Sequence, residues 1–369
     1  RKWQVVNCGG ISYASYRLVP ILQEVLGHEP DLIILYTGHN EFLEDREYGH
    51  IRDIPGFVSG LWELVAQTRT YNLLREGWAR LRGPARPGAA AERPVLGPEA
   101  DAVLDYKGGL AKYHRDEQRR RGVIEHFRCN LRRMIGLCRE SGVAVLLVNP
   151  VSSLRDCAPF KSQHRRGLTD EQRRRWEGLL REAGRRLGRN PFGAVDLLRR
   201  ASAIDDQRAD LHYLLGRCFD AMGRPEQARQ AYIRAKELDV CPLRMLEPMH
   251  EIVLDVARRT DTPLLDARKL IERHSRDGIP GGYLMLDHVH PSIRGHRLIA
   301  DALTGELIRQ GVVHPAAGWK KRRDEKVRQH TESLDDFYFA KGQERLEAVR
   351  KWAAGRATFV RPRTQPRTP

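Results

Sequence analysis

Two uninterrupted apolar segments restrict the fold of this chain more than any other feature. They are Asp31–Tyr36 and Val143–Val148, which lie far apart in the sequence. Strands that are buried on both faces of a parallel sheet show this pattern, because helices cover both sides of such a sheet. Apolar residues at helical spacing precede each run, over Leu18–Leu26 and Phe127–Cys138. The alternation predicts an α/β fold, a doubly wound, flavodoxin-like parallel sheet in three layers.

Further segments extend this pattern. Trp3–Asn7 and Pro263–Asp266 are short apolar runs that predict two more strands, and Ile293–Leu307 predicts an amphipathic helix. Phe57–Leu81 has helical spacing as well, whereas Gly83–Ala100 is rich in Pro, Gly and Ala and predicts a linker.

A repeat with a period of about 34 residues interrupts the α/β pattern. The residue pairs at this spacing are Pro191 and Pro225, Ala194 and Ala228, Ala201 and Ala235, and Asp205 and Asp239. This is the tetratricopeptide period, and it predicts two antiparallel helix pairs over Gln172–Ala203 and Arg208–Leu238 with the four alanines buried. The alternative is two ordinary helical hairpins whose spacing is accidental. Two repeats are too few to stand alone, so we expect them to pack on the α/β unit.

Positive charge is concentrated in two places. The chain has 369 residues and a formal net charge of +16. Trp319–Pro369 contains 14 Lys and Arg against 7 Asp and Glu, and Lys161–Asn190 contains 10 against 4. Such an excess raises the question of nucleic acid or an anionic membrane surface. Because no nucleic-acid motif accompanies the charge, we expect solvated helix faces and no nucleic-acid partner, with the tail as the better contact surface.

Other sequence features exclude several classes of protein. No apolar run reaches the roughly 18 residues that a membrane-spanning helix needs. The six cysteines are too sparse for a disulfide framework, and none has C-x-x-C spacing, so we do not expect a zinc site. We also expect no cofactor. The chain begins at Arg1, almost directly on a predicted strand, and we interpret it as a fragment.

Three segments with polar side chains lie where parallel strands end or where a helix begins, and ligands bind there in open α/β sheets. They are Asn7–Tyr13, Thr37–Glu41 and Leu286–Pro291. These segments resemble the motifs of the SGNH/GDSL hydrolases. The resemblance implies that Asn40 in G-H-N-E is the oxyanion asparagine. It also implies that His290 in D-H-V-H-P is the base and Asp287 its orienting carboxylate.

The same resemblance places the backbone N–H of Ser12 in the oxyanion hole, at a position that is usually glycine. We expect His39, His288 and His296 to line the pocket or to serve in packing rather than to act as catalysts. A metal site built from Asp287, His288 and His290 is a weaker alternative, since no further ligand cluster supports it.

The nucleophile of this family is not found in the chain. It lies in a G-D-S-like motif upstream of the segment that matches Val5–Tyr13, and none of the serines near the predicted strand ends takes its place in the order of the motifs. They are Ser12, Ser15, Ser152 and Ser153. The missing block also contains an interior strand, so we expect the chain alone to be poorly folded and to show no esterase activity.

The resemblance is to bacterial proteins that combine this hydrolase domain with tetratricopeptide repeats. It divides the chain into residues 1–162 and 243–315 of the hydrolase, a repeat insertion at 163–242, and a basic tail at 316–369. It implies an acyl- or acetylesterase that acts on a small-molecule or carbohydrate ester. It also implies a protein partner at the repeats and an envelope location, with a membrane anchor in the missing N-terminus.

Two other functions stay open at this point. One is a non-catalytic scaffold that presents the repeats, and the other is an O-acetyltransferase that acts on carbohydrate with the same residues.

Overall fold

The computed structural model describes residues 3–44 and 109–353. Its strands are β1 (Leu32–Tyr36), β2 (Ala144–Asn149) and β3 (Leu264–Asp266). Its helices are α1 (Ser15–Leu26), α2 (Gly109–Lys112), α3 (Glu117–Glu140), α4 (Asp170–Arg186), α5 (Pro191–Ile204), α6 (Ala209–Ala221), α7 (Pro225–Glu237), α8 (Glu247–Arg259), α9 (Ala267–His274), α10 (Ile293–Arg309), α11 (Trp319–Glu332) and α12 (Asp336–Ala353).

The three strands form one parallel sheet in the order β1-β2-β3. Leu32 pairs with Ala144 and Tyr36 with Val148, while Leu147 pairs with Leu264. The predicted strands at Asp31–Tyr36, Val143–Val148 and Pro263–Asp266 are therefore confirmed. Because the strands are parallel, their carboxyl ends lie at one edge of the sheet, and the polar segments that follow them converge there.

Helices cover both faces of the sheet. Leu147 packs into a cluster with residues of α1, α3 and α8, whereas its neighbour Val148 packs with residues of α9 and α10. Adjacent side chains in a strand point to opposite faces, which explains this division. Helices therefore lie against both faces of a small three-stranded parallel sheet. The doubly wound SGNH fold stays a prediction.

The predicted strand over Trp3–Asn7 is wrong. Residues 3–10 have no regular structure, and the side chains of Val5 and Val6 are 91% and 70% exposed. A strand is stable only beside a neighbour that pairs its backbone groups, and among the described strands none lies beyond β1. Apolar composition was therefore not enough to make this segment a strand.

A long-range carboxylate fixes the start of α1. Its N-cap residue, Ala14, offers no side-chain hydrogen bond. The buried Glu41 accepts instead, from the Ser15 backbone N–H at 2.7 Å and from the Ser15 hydroxyl at 2.8 Å. A negative charge at a helix N-terminus also interacts favourably with the helix dipole. The contact holds the turn before α1 against the turn after β1.

The repeat region forms two antiparallel helix pairs, α4–α5 and α6–α7, inserted between β2 and β3. Ala194, Ala201, Ala228 and Ala235 are all buried, as predicted. Gly216 of α6 lies against the Tyr232 ring of α7, and a β-carbon at Gly216 would lie 2.6 Å from that ring. The small residue therefore permits the close approach of the two helices.

Other predictions fall elsewhere. The helix over Phe57–Leu81 and the linker Gly83–Ala100 lie outside the described residues. The domain boundaries at 162, 242 and 315 stay a prediction. Within residues 3–44 and 109–353, no helix is long and apolar enough to cross a membrane.

We expect Gly216→Ala to destabilise the protein by about 1–3 kcal/mol, because the added methyl group would collide with the buried Tyr232 ring. The free energy of unfolding is measured by urea titration. Gly178→Ala in α4 is the matched control. A β-carbon there meets no other atom, so helix propensity predicts a gain of up to about 1 kcal/mol. Equal effects at the two sites would contradict the close packing.

Candidate active site at the carboxyl edge of the sheet

The turn after β1 carries Gly38, His39 and Asn40. Gly38 has a φ of 132°, and a β-carbon there would lie 2.7 Å from the Met245 sulfur, so both backbone and space require glycine. The Met245 backbone N–H donates to His39 Nδ1 at 3.2 Å. The chain before α8 thus holds His39 and directs the following residue, Asn40, to the carboxyl edge of the sheet.

Asn40 and Ser12 lie close together. Asn40 Nδ2 donates to the Tyr13 carbonyl at 3.0 Å, and Ser12 directly precedes Tyr13. An amide nitrogen carries two hydrogens, so one stays available for a ligand. Ser12 has a φ of 63°, in the left-handed region that glycine adopts most readily. This conformation suits the position at which the hydrolase resemblance has glycine.

A tight loop before α10 carries Asp287 and His290. An antiparallel bridge between Met285 and Pro291 closes the loop, and the Leu286 N–H donates to the His290 carbonyl at 2.8 Å. Asp287 Oδ1 accepts the backbone N–H groups of Val289 and His290 at 2.9 and 2.8 Å. These backbone contacts orient the Asp287 carboxylate independently of its contact with the His290 ring.

The Asp287 carboxylate contacts the His290 imidazole directly. Asp287 Oδ2 lies 2.7 Å from His290 Nδ1. An ionised carboxylate only accepts hydrogen bonds, so Nδ1 carries the hydrogen and Nε2 of the neutral ring keeps a lone pair. The Asp287 side chain is 7% exposed and that of His290 is 63% exposed. The pair therefore presents an oriented base to the surface.

The two groups shift each other's pKa. The hydrogen bond to Asp287 raises the pKa of His290, although partial burial opposes the rise. Burial by itself would raise the pKa of Asp287, but the hydrogen bond from His290 and the charge of His288 outweigh it and hold that pKa well below its usual range. The dyad therefore favours an ionised carboxylate next to a histidine that protonates readily.

Two further histidines, His39 and His288, have pKa values below the ordinary value of histidine. Burial lowers the pKa of His39 to about 3 and that of His288 to about 4. The His288 ring lies edge-on to the His290 ring, with the ring centroids 6.2 Å apart. The neutral His288 also packs edge-on against Phe160. That these rings line a substrate pocket stays a prediction.

The structure thus brings Asn40 next to Ser12, and Asp287 next to His290. That the two pairs face one cleft stays a prediction. None of the described serine hydroxyls forms a hydrogen bond with His290. Sequence reasoning missed Arg244, a buried residue whose Nη1 donates to the carbonyls of Ser153 and Cys157 at 3.0 Å. A single arginine has no local pattern that could have pointed to it.

Metal binding finds no support in the described part of the chain, where no group of three or more His, Cys, Asp or Glu side chains could hold an ion. The combination of Asp287, His288 and His290 is arranged instead as a hydrogen-bonded pair with a neutral neighbour.

Comparison with known proteins identifies the repeats. The tetratricopeptide repeat family matches residues 190–240, which span α5, α6 and α7. The predicted 34-residue period is thereby confirmed over this segment. No curated protein and no solved structure matches the chain. The comparisons therefore identify the repeat segment and leave the hydrolase resemblance untested.

We expect His290 to titrate with a pKa above its ordinary value of about 6.5, and Asp287→Asn to lower that pKa, because an amide cannot stabilise the imidazolium by charge. The asparagine oxygen can still accept the two backbone N–H groups, so the loop should persist. Nuclear magnetic resonance of the ring protons gives the titration curve. Asp196→Asn on α5, an exposed carboxylate, is the control and should change nothing. An unchanged His290 curve in Asp287→Asn would contradict the assigned pairing.

Proposed function

We propose that this chain carries the base and the oxyanion-binding groups of an ester hydrolase. The observation that supports the proposal most is the 2.7 Å contact between the buried Asp287 carboxylate and the exposed His290 imidazole. A serine hydroxyl is a weak nucleophile and needs such a base within hydrogen-bond reach. In this proposal His290 accepts the serine proton, and Asp287 fixes the ring tautomer and stabilises the imidazolium.

Asn40 and the Ser12 backbone N–H are proposed to bind the oxyanion. The negative charge develops on the ester carbonyl oxygen as the tetrahedral intermediate forms, and donors that are already oriented stabilise it without reorganisation. The hydrogen bond from Asn40 to the Tyr13 carbonyl fixes the plane of the amide, which gives its second N–H a defined direction. The nucleophile in this proposal is the upstream serine that the hydrolase resemblance implies.

The intermediate is then resolved by the same residues. The imidazolium of His290 donates its proton to the leaving alcohol, and the acyl group stays on the serine. Water attacks the acyl-enzyme with His290 again as base, and the acid is released. If a carbohydrate hydroxyl replaces this water, the product is a transferred acyl group, so the same dyad serves the O-acetyltransferase alternative.

We expect the chain alone to show no turnover of nitrophenyl acetate, and the chain joined to its expected upstream segment to hydrolyse it. In the joined chain, His290→Ala should lower kcat/KM by at least about 10³-fold. Asn40→Ala should lower it by about 10²–10³-fold. His274→Ala, an exposed histidine at the end of α9, is the matched control and should leave turnover unchanged.

Two outcomes would overturn parts of this proposal. Turnover that does not depend on His290 in the joined chain would exclude the hydrolase. Substantial His290-dependent turnover by the chain alone would place the nucleophile inside it, and Ser12 would be the first residue to test.

A second candidate function is an interaction scaffold, and the match of residues 190–240 to the tetratricopeptide repeat favours it. Such repeats commonly bind proteins. We infer the chemistry of the partner from α4, where Arg173, Arg174 and Arg175 are consecutive and exposed. Within the described residues no carboxylate forms an ion pair with these three arginines, so an acidic peptide would complement them.

We expect a fluorescent poly-glutamate peptide to bind the chain, and the triple variant Arg173→Gln, Arg174→Gln and Arg175→Gln to raise its Kd at least tenfold, as measured by anisotropy. The control removes three consecutive exposed cations from α11, with Lys320→Gln, Lys321→Gln and Arg322→Gln, and should raise Kd less than twofold. Equal losses in the two variants would indicate a response to net charge only and contradict a peptide site on the repeats.

A further inference from the structure

The second helix pair of the repeats binds a segment of its own chain. This segment, residues 151–157, follows β2 and is called the β2 loop below. Leu154 of the loop is buried in a cluster with Ala228 and Tyr232 of α7 and with Ile279. The Tyr213 hydroxyl of α6 donates to the Arg155 carbonyl at 2.9 Å. One face of the α6–α7 pair is therefore occupied by the α/β unit itself.

Arg155 is the polar centre of this contact. Its Nε and Nη2 donate to the two carboxylate oxygens of Asp220 in α6, at 2.8 and 3.0 Å. Nη2 also donates to Asp277 at 3.0 Å, and Nη1 donates to the Arg276 carbonyl at 3.0 Å. The Tyr232 hydroxyl donates to Asp220 at 2.9 Å. A planar guanidinium suits such paired contacts, and a lysine cannot reproduce them.

The β2 loop is hydrogen-bonded along its length to the segment that carries the dyad. The backbone N–H groups of Leu154 and Arg155 donate to the Pro280 carbonyl at 2.9 and 3.1 Å. The Gly282 N–H donates to Asp156 at 2.7 Å. The Ser153 N–H donates to the His288 carbonyl at 2.9 Å, one residue from Asp287. The loop is therefore hydrogen-bonded directly to the backbone between Asp287 and His290.

We propose that the α6–α7 pair acts as a clamp within the chain, in which Asp220 holds Arg155 so that the β2 loop keeps Asp287 and His290 in contact. Arg155 is a positioning residue in this proposal, since it touches neither dyad side chain. The inference rests on the proposed function, because it assigns the repeats a role in assembling that site. It also restricts where another protein can bind, because the clamped face is already covered and the face of α4 is not.

The clamp is tested by the titration of His290 in variants of Arg155 and Asp220. Arg155→Met keeps much of the side-chain length and removes the charge, and Asp220→Asn keeps the volume of its partner. In both variants we expect the pKa of His290 to fall toward its ordinary value, because a displaced loop weakens the contact with Asp287. In Arg155→Lys we expect a His290 pKa between that of Arg155→Met and that of the unchanged protein. The double variant with Arg155→Met and Asp220→Asn should shift the pKa of His290 no further than Arg155→Met alone, because both changes break the same contact.

The matched control is Arg199→Met on α5, whose arginine forms an exposed ion pair with Asp196 within its own helix. It should leave the His290 curve unchanged. A folded Arg155→Met protein with an unchanged His290 curve would overturn the clamp, even if its stability falls. If Arg155→Met does not fold, the milder Asp220→Asn variant decides by the same criterion.

The two proposals fail differently. The titration needs no turnover, so a responsive His290 together with a joined chain that shows no His290-dependent hydrolysis would support the clamp and exclude the hydrolase. Hydrolysis that depends on His290 but is insensitive to Arg155 and Asp220 would support the hydrolase and overturn the clamp.

Discussion

The hydrogen bonds of the β2 loop are the contacts on which the rest of the structure depends. A parallel sheet brings the ends of its strands to one edge, but it does not specify how the following loops are held there. Buried backbone N–H and C=O groups need partners, and those of this loop find them in the segment 280–288 on one side and in Arg244 on the other. The dyad is part of the same set of contacts.

A buried lysine makes a second connection between the repeats and the α/β unit. Lys236, at the end of α7, is 2% exposed and donates to the Met245 carbonyl at 2.8 Å and to Glu247 at 2.7 Å. Burial lowers its pKa, and Glu247 opposes that shift. Breaking a buried ion pair at one partner costs about 3–5 kcal/mol, because the other charge stays uncompensated. The Met245 N–H donates to His39. Met245 therefore joins Lys236 of the repeats to the turn after β1 that carries Asn40.

Patterns that are local in the sequence allowed much of the fold and part of the site to be predicted. Each of these patterns can be recognised within one short stretch of sequence. They are the apolar runs of β1 and β2, the 34-residue period and the Asp-x-x-His spacing. Trp3–Asn7 shows the limit, because its apolar pattern gives no information on whether a neighbouring strand is present. Arg155 and Asp220 are 65 residues apart, and Arg244 and Ser153 are 91 apart. Contacts at such separations leave no periodic signal in a single sequence.

The loop that carries the dyad explains why Asp287 is buried while His290 is exposed. In an antiparallel pair, side chains at opposed positions share a face and alternate along the strand. Met285 and Pro291 are opposed and buried, so Leu286 and His290 share the outer face. The Leu286 side chain is 51% exposed beside the imidazole. The proposed ester site at His290 therefore has an exposed apolar neighbour on the same face of its loop, where burial by a substrate would strengthen the electrostatic interaction with Asp287.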